Sequence, residues 1–267
     1  MTPMQRRLAL PLRLLQSHYD AVVVGSGYGG GVAAARLAHA GKRVAVLERG
    51  REILTGEFPR RFSDLRRDLQ VTGKQVRLGS ATSLYDVRLG NDMHVLVACG
   101  LGGGSLINAG VALRPEPRVF QDPVWPSALA CDPLLEQAFL EARRWLRPAR
   151  DPAAAQRSKY MALGAAGVAL GAEPVAAPVT VSFSDVVNPA GIRQPACTLC
   201  GDCCGGCNVG AKNSVALTYL PDAARHGAQI FCHAKVRHLA QAQGGRWQLH
   251  LEVQDGAEAG AERLRTV

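Results

Sequence analysis

An apolar run that breaks into three glycines spaced G-x-G-x-x-G leaves few folds open. Asp20 to Val24 carries three consecutive valines and stops at Gly25, the pattern of a strand buried on both faces of a parallel sheet. Gly25, Gly27 and Gly30 follow, the first suited to a tight turn, the second to close approach of a pyrophosphate, the third to packing of a helix on the strand. An alanine-rich run predicts that helix, with Gly41 as its C-terminal stop, and its N-terminus would present free amides and a positive dipole end to phosphates. A second strand, Arg43 to Leu47, delivers Glu48 about 20 residues beyond the glycines, where a carboxylate can accept hydrogen bonds from a ribose 2′-hydroxyl and repel a 2′-phosphate. Arg49 beside it weakens that exclusion slightly. Strand, glycines, helix, strand and acid in this order predict dinucleotide binding on a Rossmann-type α/β fold. They leave open whether the ligand is NAD or FAD.

The 267 residues can bury a large core in one domain or two. Net charge is +9, from 26 Arg and 5 Lys against 22 acids, yet no nucleic-acid reader motif or interleaved aromatics accompany it, so no nucleic-acid partner is expected. The densest basic stretch, Arg49, Arg51, Arg60, Arg61, Arg66 and Arg67, reads as a solvated face, with docking of an anionic partner or membrane as the alternative. No apolar run is long enough for a membrane span. Residues 6–15 look like a signal peptide, but Pro11 and Arg13 interrupt the apolar core and no small-residue cleavage site follows. Residues 1–16 are therefore expected to be a short amphipathic arm, and the protein to be cytoplasmic. Eight Cys in a chain neither small nor evidently secreted favour thiols or metal ligands over disulfides.

Residues 51–75 are polar and Arg-rich and read as an excursion returning to the nucleotide-binding sheet. Residues 76–78, 84–89 and 93–98, with Gly90-Asn91 as a turn, predict a β-meander. Next comes Cys99-Gly-Leu-Gly-Gly-Gly-Ser-Leu-Ile-Asn-Ala-Gly110. Three successive glycines leave backbone amides uncovered for a phosphate or flat ring, with Ser105 and Asn108 as polar groups beside them.

Gly-Ser-Gly-Tyr-Gly-Gly (25–30), Glu-Arg-Gly (48–50) and Gly-Gly-Gly-Ser-Leu-Ile-Asn-Ala-Gly (102–110) resemble the glucose–methanol–choline (GMC) oxidoreductases, closest to their cholesterol-oxidase-like branch. The resemblance implies FAD. It places Gly25, Gly27 and Gly30, with Tyr28 and Gly29 between them, at the pyrophosphate, and Glu48 at the adenosine ribose. It implies flavin contacts from Gly103, Gly104, Ser105, Asn108 and Gly110, and a backbone contact of Val236 with adenine. The expected fold is a Rossmann-type FAD-binding domain over 17–118 and 208–267, with part of an α+β substrate region over 119–207. Residues 111–126 resemble the family segment that leaves the flavin domain.

Asp132 with Pro133 predicts a helix start, and Leu134, Leu135, Phe139 and Trp145 a core stripe along it. A second helix is expected over about 155–170, ending at Gly171, and a substrate-side sheet from Glu173 to Ser184. Cys197, Cys200, Cys203 and Cys207 have the spacing C-x2-C-x2-C-x3-C, with Cys204 inside it and Asn208 where the bacterial ferredoxin run has proline. Three readings stand: an iron–sulfur cluster, structural zinc, or plain buried thiols. Cys99, Cys131 and Cys232 read as buried small hydrophobes, and the seven His as ordinary core or surface residues. A helix over Lys212–Arg225 with a kink at Pro221, a strand at 229–232 and a hairpin around Gly244-Gly245 complete the reading.

The resemblance implies an oxidoreductase acting on CH–OH groups of an alcohol, a sterol among the candidates, with hydride passing to the flavin. The family's catalytic His, its His or Asn partner, and the glutamate of cholesterol oxidases have no matching positions here, so no catalytic residue is assigned. Arg263 to Val267 reads as the start of a returning strand, and the chain is expected to be an N-terminal half. An oxygen or carrier acceptor, or a complementary C-terminal chain, would be its partners. A non-catalytic flavin- or metal-binding fragment and an NAD-linked dehydrogenase are the alternatives.

Overall fold

A computed structural model describes residues 6–253. They fall into two compact units, Met1–Asn108 with Gly201–Asn208 and Ser214–Val267, and Ala109–Cys200 with Val209–Asn213. The first boundary lies ahead of the residue 118 expected from the sequence, and Arg263–Val267 lies outside the described residues.

The first unit is built on a parallel sheet in the order Ala21–Val24, Val44–Leu47, Gln229–Phe231. The second strand is buried at every position, between the other two, whereas the valine run Ala21–Val24, expected to be buried on both faces, is only half-buried and ends with Val24 54% exposed, because it has a strand on one side alone in this sheet. Helix Tyr28–His39 crosses between the first two strands and stops where Gly41 turns left-handed at φ 72°. The third strand arrives after helix Tyr219–Arg225. Pro221 causes no break there, because it sits in the first turn, where a backbone N–H would have no intrahelical partner. The expected helix over 212–225 is shorter for a different reason: a 3-10 turn, Val215–Leu217, precedes it.

One face of the sheet is closed by the hairpin Ala234–Gln241/Trp247–Val253, whose Leu249 and Leu251 pack with Ala45, Leu47 and Phe231. Leu10, Leu12 and Leu15 of the N-terminal arm cover the same cluster. The arm is pinned by Leu8 and Ala9 amides donating to Glu52, by Arg7 on Glu57, and by a parallel bridge of Ala9 to Ile230 at the sheet edge.

Residues 51–75 do not return to this sheet. Leu69–Thr72 is a strand that begins a second sheet, in the order 77–78, 69–72, 85–89, 94–98. The meander expectation missed it because the segment is polar, and its pairing with Tyr85–Leu89 is parallel. Arg60, Arg61, Arg66 and Arg67 are exposed, as a solvated face requires. Arg49 and Arg51 are not: Arg49 lies 2.5 Å from buried Asp86, and Arg51 pairs with buried Asp68. Burial lowers the Arg49 pKa, but the Asp86 hydrogen bond and charge reverse this and leave it raised.

The second unit contains helices Pro133–Leu146 and Ser158–Ala169. Asp132 caps the first, accepting the Leu134 amide at 2.8 Å. Its apolar stripe is not core: no residue of the helix is buried, and Leu134 is 63% exposed. No strand forms over Glu173–Ser184, where Val179 and Val181 make isolated bridges, to Val111 and Ala149 and to Lys212. Asn213, in the same unit, donates from Nδ2 to the Leu146 carbonyl at the helix end.

Candidate functional site

Both glycine segments of the first unit meet at the N-terminus of helix Tyr28–His39. The first leaves the strand at Val24, turns at Gly25, and enters the helix with Gly27 at the cap position, where no side chain caps the first-turn amides. A Cβ on Gly30 would lie 2.0 Å from the Gly25 carbonyl oxygen, so only glycine lets the helix close on the turn. The second segment leaves the strand at Ala98 and coils through a 3-10 turn, Gly103–Leu106. Gly103 (φ 55°) passes so close to the first loop that a Cβ there would lie 2.7 Å from the Gly27 Cα. Gly25, Gly29 and Gly104 face open space: a Cβ on any of them meets nothing within 4 Å.

Ser26 joins the loops. It is fully buried; its Oγ donates to Glu48 Oε2 at 2.5 Å and accepts the Gly102 amide at 3.0 Å. The Ser26 amide also donates to Glu48 Oε2, and the Gly50 amide to Oε1 at 2.8 Å. The Glu48 carboxylate, 6% exposed, thus accepts three hydrogen bonds and ties the end of the second strand to the glycine turn. Sequence reasoning passed over Ser26, whose one signal is a hydroxyl between two glycines.

The other expected contacts divide. Asn108 is half-buried, and its Nδ2 donates to Tyr28 Oη at 2.9 Å, a second strap between the loops. Ser105 is fully buried: its Oγ donates to the Gly102 carbonyl at 2.6 Å and accepts the Val215 amide at 3.0 Å, so the side chain holds the turn from inside. The Val236 side chain packs against the core beneath the sheet. Gly110 belongs to the second unit, where its carbonyl accepts the Thr180 amide.

Cys197 and Cys200 fall in the second unit, Cys203 and Cys207 in the first, and all eight cysteines are free. Among the described residues one group of three or more His, Cys, Asp or Glu lies within ligand reach, and it contains no cysteine. Asn208, at the proline position of the ferredoxin run, brackets Phe58: its Oδ1 accepts the Phe58 amide at 3.0 Å and its Nδ2 donates to the Phe58 carbonyl at 3.1 Å. Tyr85 Oη donates to the Gly205 carbonyl at 2.8 Å. Gly206, at φ 98°, leaves the room that Phe58 fills: a Cβ there would lie 2.1 Å from Phe58 Cδ1. Cys99 and Cys232 are buried as expected, whereas Cys131 is exposed. Burial pushes the Cys99 thiol up to about 11 against the pull of Arg49, and pushes Cys232 further in the same direction. No helix of the described residues is long and apolar enough to cross a membrane.

The residues present fit a dinucleotide. Uncapped helix amides, two backbone loops in contact, and glycines open on one side form a cradle that side chains would fill. A family model described as GMC oxidoreductase matches residues 19–263. A cholesterol oxidase of Mycobacterium tuberculosis is 30% identical over 248 residues, which cover 88% of this chain and 42% of that protein. One of Acinetobacter baumannii is 30% identical over 234 residues, covering 82% and 40%. A long-chain-alcohol oxidase of Arabidopsis thaliana is 28% identical over 230 residues, covering 82% and 26%. The solved structure of a fungal aryl-alcohol oxidase is similar in fold, with a TM-score of 0.57 at 15% identity, over 95% of this chain and 44% of that one. The chain spans less than half the length of the curated relatives it matches.

Proposed function

Since the chain belongs to the GMC oxidoreductases, a family of FAD-dependent oxidoreductases, we propose that it supplies the FAD-holding part of an enzyme that oxidises the CH–OH group of an apolar alcohol. The observation that carries this reading is the junction of the two glycine loops, where Gly27 and Gly103 approach backbone to backbone and Ser26 bonds both sides. Bound FAD supplies the hydride acceptor for the alcohol carbon while a base takes the hydroxyl proton. The chain's own residues hold and orient. Amides of the uncapped helix turn receive the pyrophosphate, with Gly25, Gly27, Tyr28, Gly29 and Gly30 forming that wall. Glu48 keeps lone-pair capacity on Oε1 for a ribose hydroxyl, while its other bonds fix the turn. Gly103, Gly104 and Asn108 would form the surface for the ring, with Ser105 holding that surface from behind, and the Val236 backbone would meet the adenine. The part these residues take is positioning of the cofactor.

The substrate class rests on what the named relatives share: a sterol, a long-chain alcohol and an aryl alcohol each put a hydroxyl on an apolar skeleton. A sterol is the first candidate, from the two cholesterol oxidases. The test is absorbance of the purified chain after incubation with FAD and gel filtration. Flavin bands that co-elute with the protein, and are lost in Gly104→Val, are expected. A colourless protein that turns over nicotinamide instead would overturn the reading.

A further inference from the structure

Away from the glycine loops, at the far end of the same helix, three side chains converge in the first unit. His39, the last residue of helix Tyr28–His39, places Nε2 2.8 Å from Asp222 Oδ2. His226, immediately after helix Tyr219–Arg225, places Nδ1 3.7 Å from Asp222 Oδ1, and its ring stacks on His39 with centroids 3.7 Å apart. One ligand atom from each residue lies within 4.8 Å of the other two. Asp222 is buried, whereas the two imidazoles are 50% and 37% exposed.

An ion pair alone would need one histidine. Here two rings are stacked over a single carboxylate that already has the Arg225 guanidinium at 3.3 Å. We propose that His39 Nε2, Asp222 and His226 Nδ1 form a binding site for a divalent transition-metal cation of the zinc, nickel or cobalt class. Two imidazoles and a carboxylate suit these ions better than magnesium or calcium, which favour oxygen. Bonds of about 2.1 Å in tetrahedral geometry set ligand atoms about 3.4 Å apart. His39 Nε2 and His226 Nδ1 lie 2.8 and 3.7 Å from the two Asp222 oxygens, and one ligand atom of each residue lies within 4.8 Å of the others, so the exposed rings turn out of their stack to face one ion while the buried carboxylate stays fixed. Three local bonds are exchanged: His39 Nε2 and Asp222 Oδ2 give up the hydrogen bond between them, His226 Nδ1 leaves the Asp222 carbonyl, 2.9 Å away, and the half-exposed Arg225 side chain swings off Oδ1. Water completes the coordination, and any proton on a ligating nitrogen is released. A cation there would clamp the end of the glycine-loop helix to helix Tyr219–Arg225. The inference does not rest on the flavin reading.

The test is titration of the metal-free full chain with Co2+, followed by its visible spectrum, because cysteine-bound cobalt shows sulfur-to-metal charge transfer that a nitrogen–oxygen site lacks. One equivalent bound without charge-transfer intensity is expected, weakened about tenfold or more, by at least one decade in Kd, in both His39→Gln and His226→Gln. Both replacements are on exposed side chains, and unchanged circular dichroism in chelator confirms their folding. Binding that shows only thiolate bands, or is equally tight in both variants, would overturn the proposal.

Discussion

Replacing Ser26 by alanine tests the junction on which the proposed site depends. The hydroxyl is fully buried, donates to the Glu48 carboxylate at 2.5 Å and accepts the Gly102 amide at 3.0 Å. Its loss removes a charge-assisted hydrogen bond, worth about 1.5–3 kcal/mol, and leaves the Gly102 N–H without this acceptor at a cost of about 1–3 kcal/mol. The two overlap, because the loop can relax toward water, so about 3 kcal/mol is the expected total. In a chain of this size that lowers the melting temperature by roughly 6–12 °C. FAD affinity should fall with it, since the Gly102–Leu106 segment loses its tie to the glycine turn. Thermal unfolding by circular dichroism and flavin fluorescence titration read the two effects. A cycle with Glu48→Gln isolates the pair, with a coupling of about 1 kcal/mol or more expected. A melting temperature within about 2 °C of wild type, or additive effects in the cycle, would refute the argument.

Three more outcomes follow from the same geometry. Gly103→Ala forces a Cβ to 2.7 Å from the Gly27 Cα at φ 55° and should destabilise the fold by about 2 kcal/mol, whereas Gly104→Ala, with open space around it, should melt near wild type yet take up less FAD. Equal melting temperatures for the two would contradict the loop contact. Asn208→Ala strips both backbone groups of Phe58 of a partner and should cost about 2 kcal/mol in urea unfolding, with Asn208→Asp recovering part; an unchanged midpoint would show that this bracket is not needed. The Cys99 thiol, raised from 9.0 to about 11 by burial, contributes stability that is whole below pH 9 and lost as pH rises through about 11. Stability should decline across that window more steeply in wild type than in Cys99→Ala, and Cys99 should resist alkylation at neutral pH while exposed Cys131 and Cys200 react; parallel curves would refute it.

Local physics made the first unit legible. A valine run, glycine spacing, helix periodicity and an acid at the next strand end each act within a few residues, and strand, helix and strand appear where they predict. The same held for the Asp132 cap and the Gly244-Gly245 hairpin. Longer reach defeated the reading elsewhere. Leu69–Thr72 carries a weak strand signal and is a strand because Tyr85–Leu89 lies beside it. The stripe of Pro133–Leu146 has the periodicity of a core helix, but periodicity does not state whether a partner covers it.

The residue pattern alone therefore determined a Rossmann-type unit and the glycines that line it, because backbone freedom and hydrophobic period are properties of neighbours in sequence. Only the tertiary structure decided that Ser26 is the link between loops separated by more than 70 positions, that Ser105 faces inward, and that Gln229–Phe231 completes the sheet. It also brought His39 to Asp222 and His226. A hydrogen bond is specified by where two groups end up, and chain order does not carry that distance.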